Sequence, residues 1–340
     1  MKQLKFTLCL LLTGIFICMS AAAKDKIHVV FIGNSITYGA TLSDPATQAP
    51  PVITGQLLQK RTNHTVRIKN CGVSGITTFG FLPGRGAYNN AVSAGEEFGG
   101  EAGPLYFSIM LGTNDSAEKG PEGSPVSTDT YKENIRKIID ALHEKFPKAK
   151  FVLNYPIWYS PTTHNGATYL QAGLDRLKSY HPVIDDILDE YASSNPGMVY
   201  GGSKEAFSFF ENNNDYFTSE AGNSGTFWLH PNAPGAVKLA GFWADAIMNV
   251  LATDGIGEGD DEDDKWMKGK GLITDSVCRL PPTQWRASSS PPPTSYVPKS
   301  RATVRGSTFT TARGPTRFPP ANTRICKYTS TRRRAIYSST

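Results

Sequence analysis

The run Ile27-His28-Val29-Val30-Phe31-Ile32-Gly33, followed at once by Asn34-Ser35-Ile36-Thr37-Tyr38-Gly39, decides the reading of the fold. A short continuous apolar segment closed by glycine is what a strand buried on both faces requires, and such strands belong to parallel sheets covered by helices. Similar runs recur at Val66 to Ile68, Leu105 to Leu111, Phe151 to Tyr155 and Met198 to Tyr200. Helical patterns lie between them. The clearest is predicted to start at Thr130, where Thr130 and Glu133 match a capping box. Its apolar stripe is Tyr131, Ile135, Ile138, Ile139, Leu142 and Phe146, and Pro147 stops it. A second helix is predicted from Ala236 to Leu251. Strands alternating with helices indicate an α/β domain, with its site beyond the carboxyl ends of the strands.

On either side of this domain the composition changes. Met1-Lys2-Gln3-Leu4-Lys5, the apolar run Phe6 to Met19 and Ala21-Ala22-Ala23 read as a secretory signal peptide over residues 1–23, which implies a periplasmic or extracellular protein with no stable membrane insertion. The domain then occupies 24–253. Residues 254–270 read as a solvated acidic linker, because the carboxylates of 254–264 lack the alternating spacing and terminal Glu of a calcium loop. Residues 271–340, rich in Ser, Thr, Pro and Arg, have neither helical nor strand period and are predicted to be disordered. They read either as a basic tail for an anionic partner or as an out-of-frame stretch replacing a second domain; the abrupt change favours the second. The net charge of +5 on 340 residues is therefore a composite. Residues 271–340 hold 12 basic residues and one acid, whereas 24–270 hold 21 basic and 29 acidic. An acidic body argues against phosphate-backbone binding, so no nucleic-acid partner is expected. Three cysteines beyond the signal, Cys71, Cys278 and Cys326, make no disulfide framework, and Cys71 reads as a small buried residue.

Four polar clusters carry the chemistry: Gly33-Asn34-Ser35-Ile36-Thr37, Asn70-Cys71-Gly72-Val73-Ser74-Gly75-Ile76-Thr77, Gly112-Thr113-Asn114-Asp115 and Leu229-His230-Pro231-Asn232. The first three follow strands and the fourth precedes the last helix. Any one of them could merely end a strand or cap a helix. Together they supply an acyl-transfer site. A serine at a strand-to-helix turn exposes its hydroxyl and brings its own N–H to the developing oxyanion. A glycine on the neighbouring strand end lets a second N–H approach, and an asparagine amide supplies a third donor. A histidine takes the serine proton and returns it to the leaving alcohol.

In these four blocks the chain resembles the SGNH (GDSL-like) hydrolases over about residues 27–252. The resemblance implies a flavodoxin-like three-layer α/β/α sandwich. It implies Ser35 as nucleophile, with Asn34 where Asp is usual, and His230 as base. Ser35, Gly75 and Asn114 would form the oxyanion hole, with Gly72 the weaker choice for the glycine. The fourth block departs from the family: Phe227 stands three residues before His230, where an Asp usually orients the imidazole. Three arrangements fit, taken in this order. A backbone carbonyl could hold His230 in a Ser–His dyad, a carboxylate from the preceding loop (Asp215 or Glu220) could substitute, or the enzyme could be impaired.

His64, His143, His164 and His181 are read as surface or cap residues, His164 ranking first among them for any contact with a substrate. No metal-ligand spacing occurs and no cofactor is expected. Tyr38, Phe79, Phe81, Tyr88, Trp158, Tyr159, Phe227 and Trp228 are expected to crowd the rim, where they could stack on sugar faces or line an acyl groove. The chain is similar to bacterial carbohydrate O-acetylesterases, including sialate and xylan O-acetylesterases. The expected partner is therefore an acetylated glycan or another small ester. The alternatives are a lipid, thioester or aryl-ester acylhydrolase, and a catalytically weak carbohydrate-binding protein.

Overall fold

The computed structural model describes residues 26–62 and 64–257. The segments read as a signal peptide (1–23) and a basic tail (271–340), and most of the segment read as an acidic linker (254–270), lie outside the described residues. The first strand, β1 (Lys26–Gly33), is buried from Ile27 through Gly33. It leads through α1 (Ser35–Tyr38), α2 (Pro45–Gln48) and α3 (Pro50–Thr62) to β2 (Thr65–Gly72). Then follow α4 (Gly86–Phe98), β3 (Leu105–Met110), α5 (Thr128–Lys145), β4 (Lys150–Leu153), α6 (Leu170–Ser194) and β5 (Val199–Gly201). Beyond α7 (Glu205–Glu211) and a short 3-10 turn, β6 (Glu220–Gly222) and β7 (Gly225–Phe227) form a separate hairpin before α8 (Ala233–Thr253).

The main sheet has the order β2-β1-β3-β4-β5, with every pair parallel. Alternation along β1 sends successive side chains to opposite helical layers. His28 stacks on Phe98 of α4 at 4.7 Å between ring centroids, whereas Phe31 stacks on Trp243 of α8 at 5.6 Å. α3 packs on α8, while α4 contacts α5 and α5 contacts α6. The result is the three-layer α/β/α arrangement. Phe31 has no exposure, so truncating it to Ala would cost about 3–5 kcal/mol through lost burial and the cavity left behind.

Strand register prepares the site. Gly33 pairs with Gly72 on one side and with Met110 on the other. The segments after β1, β2 and β3 therefore leave the sheet side by side. The strand order also reverses at β1, which opens a crevice at the carboxyl ends.

Two boundaries differ from the sequence reading. α5 begins at Thr128, capped by Ser127, whose hydroxyl oxygen accepts from the Thr130 N–H at 3.2 Å. Thr130 is thus inside the helix, and Glu133 pairs with Lys137 at 2.6 Å instead of closing a capping box. α8 starts three residues early because Asn232 is a strong cap, its Oδ1 accepting from the Gly235 N–H at 2.9 Å.

Candidate active site

Ser35 opens α1 directly after β1. Asn34 caps that turn, its Oδ1 accepting from the Ile36 N–H at 2.9 Å. Capping needs only an acceptor oxygen, so the amide performs here as an Asp carboxylate would. Ser35 Oγ lies 2.9 Å from His230 Nε2. On the other side of the ring, His230 Nδ1 lies 2.9 Å from Glu220 Oε1 and 3.0 Å from Oε2. An ionised carboxylate can only accept, so the proton sits on Nδ1 and donates to Glu220. Nε2 is then left to accept the Ser35 O–H.

This geometry corrects the first of the three arrangements considered for His230. A carboxylate, not a backbone carbonyl, faces Nδ1, and it is Glu220, not Asp215. Asp215 is exposed, and its backbone oxygen accepts from Asn232 Nδ2 at 2.7 Å. Glu220 arrives through the β6–β7 ladder, where it pairs directly with Phe227. Directly paired residues stand on one face of a hairpin, so the carboxylate reaches the neighbourhood of position 227 from across the ladder. Phe227 itself is core, with 1% exposure. The hairpin went unread in the sequence, although Gly222-Asn223-Ser224-Gly225 is a turn signal and Gly225 adopts φ +95°.

The backbone of His230 is fixed as well. Its N–H lies 3.3 Å from Glu220 Oε1, and its carbonyl accepts from the Thr218 N–H at 2.9 Å. Thr218 Oγ1 in turn meets Thr41 Oγ1 at 2.9 Å. Thr41 has φ +70°, an uncommon conformation for a β-branched residue.

Gly75 is exposed at φ +77°, and a Cβ there would meet nothing within 4 Å. Its N–H joins no hydrogen bond among the described residues. Gly72 differs. Its N–H donates to Asn70 Oδ1 at 3.0 Å, and a Cβ would stand 2.4 Å from the Tyr38 nitrogen. That glycine lets β2 pack against α1, and Gly75 is the one with an available amide. Asn114 is buried on the loop after β3. Its Nδ2 donates to the Ile76 carbonyl at 2.8 Å, and its Oδ1 accepts from the Tyr169 O–H at 2.7 Å. One of the two Nδ2 hydrogens remains for a ligand. The neighbouring Asp115 is fully buried and accepts from both the N–H and the hydroxyl of Thr78. Burial outweighs these bonds and pushes its carboxyl up to about 6.

The expected aromatic rim is mostly core. Phe81, Tyr88, Trp158, Tyr159 and Phe227 are buried, and Phe79 and Trp228 are half-buried. Only Tyr38, 49% exposed, and Val73, 36% exposed, are large apolar side chains open to solvent among the described residues. They follow β1 and β2 and therefore flank Ser35. The other histidines also sort by contact. His164, read as a surface or cap residue, ties loops together: its Nδ1 lies 2.9 Å from Ser224 Oγ and its Nε2 3.2 Å from Thr168 Oγ1. His181 lies within α6, between Tyr155 and Phe207, and burial lowers its pKa. His28 carries no signal of its own in the apolar run of β1; it is buried on Phe98 with Nε2 3.3 Å from Glu101. Burial raises the Cys71 thiol to about 11, which makes it a poor nucleophile. Among the described residues, no group of three His, Cys, Asp or Glu side chains could hold a metal ion.

A hydroxyl, an imidazole and a carboxylate in hydrogen-bonded sequence can activate oxygen for attack on an acyl carbonyl. The model of the GDSL-like Lipase/Acylhydrolase family matches residues 31–237. Among curated proteins no relative matches the chain by sequence. Solved structures similar to it include a catalytic mutant of Axe2, an acetylxylan esterase from Geobacillus stearothermophilus. That likeness has 18% identity and a TM-score of 0.47, covering 67% of this chain and 95% of the other. Another is Est24, a carbohydrate acetylesterase from Sinorhizobium meliloti, with 18% identity and a TM-score of 0.45, covering 65% of this chain and 98% of the other. With the family match spanning all four polar blocks, the chain belongs to the GDSL-like lipase/acylhydrolase family and is a carboxylic ester hydrolase.

Proposed function

We propose that the protein removes O-acetyl groups from carbohydrates through an acetyl-Ser35 intermediate. The observation that carries this reading is the relay from Ser35 Oγ through His230 to Glu220, with contacts of 2.9 Å on both sides of the imidazole. Ser35 Oγ attacks the acetyl carbonyl as its proton passes to His230 Nε2, and Glu220 stabilises the resulting imidazolium. The carbonyl oxygen becomes an oxyanion and accepts from the N–H groups of Ser35 and Gly75 and from Asn114 Nδ2. The bond to the sugar oxygen then breaks, and that oxygen takes the proton from Nε2. Water repeats the sequence on the acetyl-enzyme, with His230 as base, releasing acetate and restoring the serine hydroxyl.

The substrate class rests on the surface around Ser35. A lipase meeting an aggregated lipid presents a broad apolar surface, whereas here the large exposed apolar side chains among the described residues are Tyr38 and Val73. One exposed tyrosine beside a nucleophile suits stacking on a sugar ring. Residues 1–23 support action outside the cytoplasm, because their charge and apolar pattern is that of an export signal.

The test is acetate release by purified protein from acetylated xylan, pectin and sialic acids, alongside nitrophenyl acetate and octanoate. The expected result is acetate release from at least one glycan, a preference for the acetyl ester and loss of both activities on Ser35→Ala. A preference for octanoate would point to a lipid acylhydrolase instead. Undiminished turnover by Ser35→Ala would remove Ser35 from the mechanism.

A further inference from the structure

We infer that Tyr169 is a positioning residue for the oxyanion hole, holding the Asn114 amide so that a donor hydrogen, and never the carbonyl oxygen, faces the reacting centre. This rests on the reading of Asn114 as an oxyanion donor and assigns a role to a residue outside the four blocks.

An asparagine side chain is nearly symmetric in shape and opposite in polarity at its two ends. Turned over, Asn114 would present a lone pair to a developing negative charge. Two contacts oppose that rotation. Nδ2 donates to the Ile76 carbonyl at 2.8 Å, and the Tyr169 hydroxyl donates to Oδ1 at 2.7 Å. Without the hydroxyl, Oδ1 would be a buried acceptor lacking a partner, because Asn114 is 4% exposed. A buried acceptor left unpaired is costly enough to favour side-chain rotation toward water. A donor on Oδ1 also polarises the amide and strengthens the remaining N–H.

The tyrosine is itself held in place. It is 3% exposed, and its ring meets Tyr159 edge-on at 5.3 Å. The N–H groups of Tyr169 and Leu170 both donate to the Thr163 carbonyl, at 3.2 and 3.1 Å. Leu170 adopts φ +53° there, an uncommon conformation for a residue with a side chain. Burial raises the Tyr169 phenol far above its ordinary range, so it remains a donor at any working pH. The same segment anchors the hairpin that carries Glu220: His164 bonds Ser224, and Thr162 Oγ1 donates to the Thr226 carbonyl at 2.8 Å.

The experiment compares Tyr169→Phe, Asn114→Ala and the double variant with nitrophenyl acetate. Tyr169→Phe is expected to lower kcat by about 5- to 50-fold with KM within about twofold, less than the 10²–10³ typical of deleting a donor outright. The double variant is expected to match Asn114→Ala alone within about twofold, because the hydroxyl acts only through that amide. A packing role would instead multiply the two losses, and that result would overturn the proposal, as would an unchanged kcat for Tyr169→Phe. If Asn114→Ala leaves kcat unchanged, the oxyanion reading falls and the proposal falls with it; a loss for Asn114→Ala alone sinks only the role of Tyr169. Should Tyr169→Phe not fold, NMR of the wild-type protein decides. Slow exchange of the Asn114 Nδ2 protons is expected, and exchange as fast as that of exposed asparagines overturns the clamp.

Discussion

Replacing Glu220 by Gln tests the relay most directly. The substitution keeps the size and one acceptor oxygen but removes the charge opposite the imidazolium. The carboxylate oxygens stand 2.9 and 3.0 Å from Nδ1, and the side chains of His230 and Glu220 are 11% and 18% exposed. For unit charges with centres about 4 Å apart at an effective dielectric near 20, the attraction is about 4 kcal/mol. Since about 1.4 kcal/mol of barrier is tenfold in rate, kcat should fall by about 10³-fold. KM should stay near its original value, because the charge interaction develops only as the proton moves to Nε2. The assay is steady-state hydrolysis of nitrophenyl acetate, with thermal melting to confirm folding. A second arm adds Phe227→Asp to Glu220→Gln. The ladder pairs these positions directly, so a carboxylate at 227 should recover part of the lost rate even though removing a buried aromatic costs about 3–5 kcal/mol of stability. A loss below about tenfold for Glu220→Gln, in a range where an oriented carboxylate should matter far more, would refute the assignment and return the dyad to consideration.

Three other outcomes follow from the same geometry. The folded carboxyl of Asp115 titrates at about 6 against an ordinary value of 3.8, so the folded state retains the proton longer and loses stability as pH rises from 3.8 toward 6, by about 3 kcal/mol at most. In urea unfolding compared near pH 4 and above pH 7, Asp115→Asn should remove that slope, and equal pH dependence in both proteins would contradict it. Gly72→Ala would push a Cβ to 2.4 Å from the Tyr38 nitrogen, so it should displace α1 and lower both melting temperature and kcat, a result that unchanged kinetics would dispute. Tyr38→Ala should raise KM for acetylated oligosaccharides several-fold and leave nitrophenyl acetate nearly untouched; equal effects on both substrates would deny the sugar platform.

Much of this molecule is legible in short stretches of sequence. The apolar runs ending at Gly33 and before Gly112 announce buried parallel strands because each carries its burial pattern within a few residues, whereas β2, at the sheet edge, is half-buried along its whole length. The polar blocks could be placed at strand ends for the same reason. Helix starts were less secure. Thr130 and Glu133 imitate a capping box, but Ser127 lies three residues earlier and captures the Thr130 N–H first. Core and rim aromatics cannot be told apart in the sequence, because hydrophobicity is the same in both places. Burial of Phe81 and Tyr159, and exposure of Tyr38, depend on which helix layer covers each one.

The parallel α/β sheet and the order of Ser35, Asn114 and His230 can be read from residues alone, since strand burial and strand-end chemistry are local properties of the chain. Which carboxylate faces His230 is set by the folded chain. Position 227 lacks one, and no local signal distinguishes Asp215 from Glu220 in the loop before it. The choice is made by the register of a hairpin of two three-residue strands, which sets Glu220 across from Phe227 and the imidazole between that carboxylate and Ser35. The folded chain also decides which glycine keeps an available N–H and which tyrosine grips Asn114, because a hydrogen bond depends on where two distant segments meet.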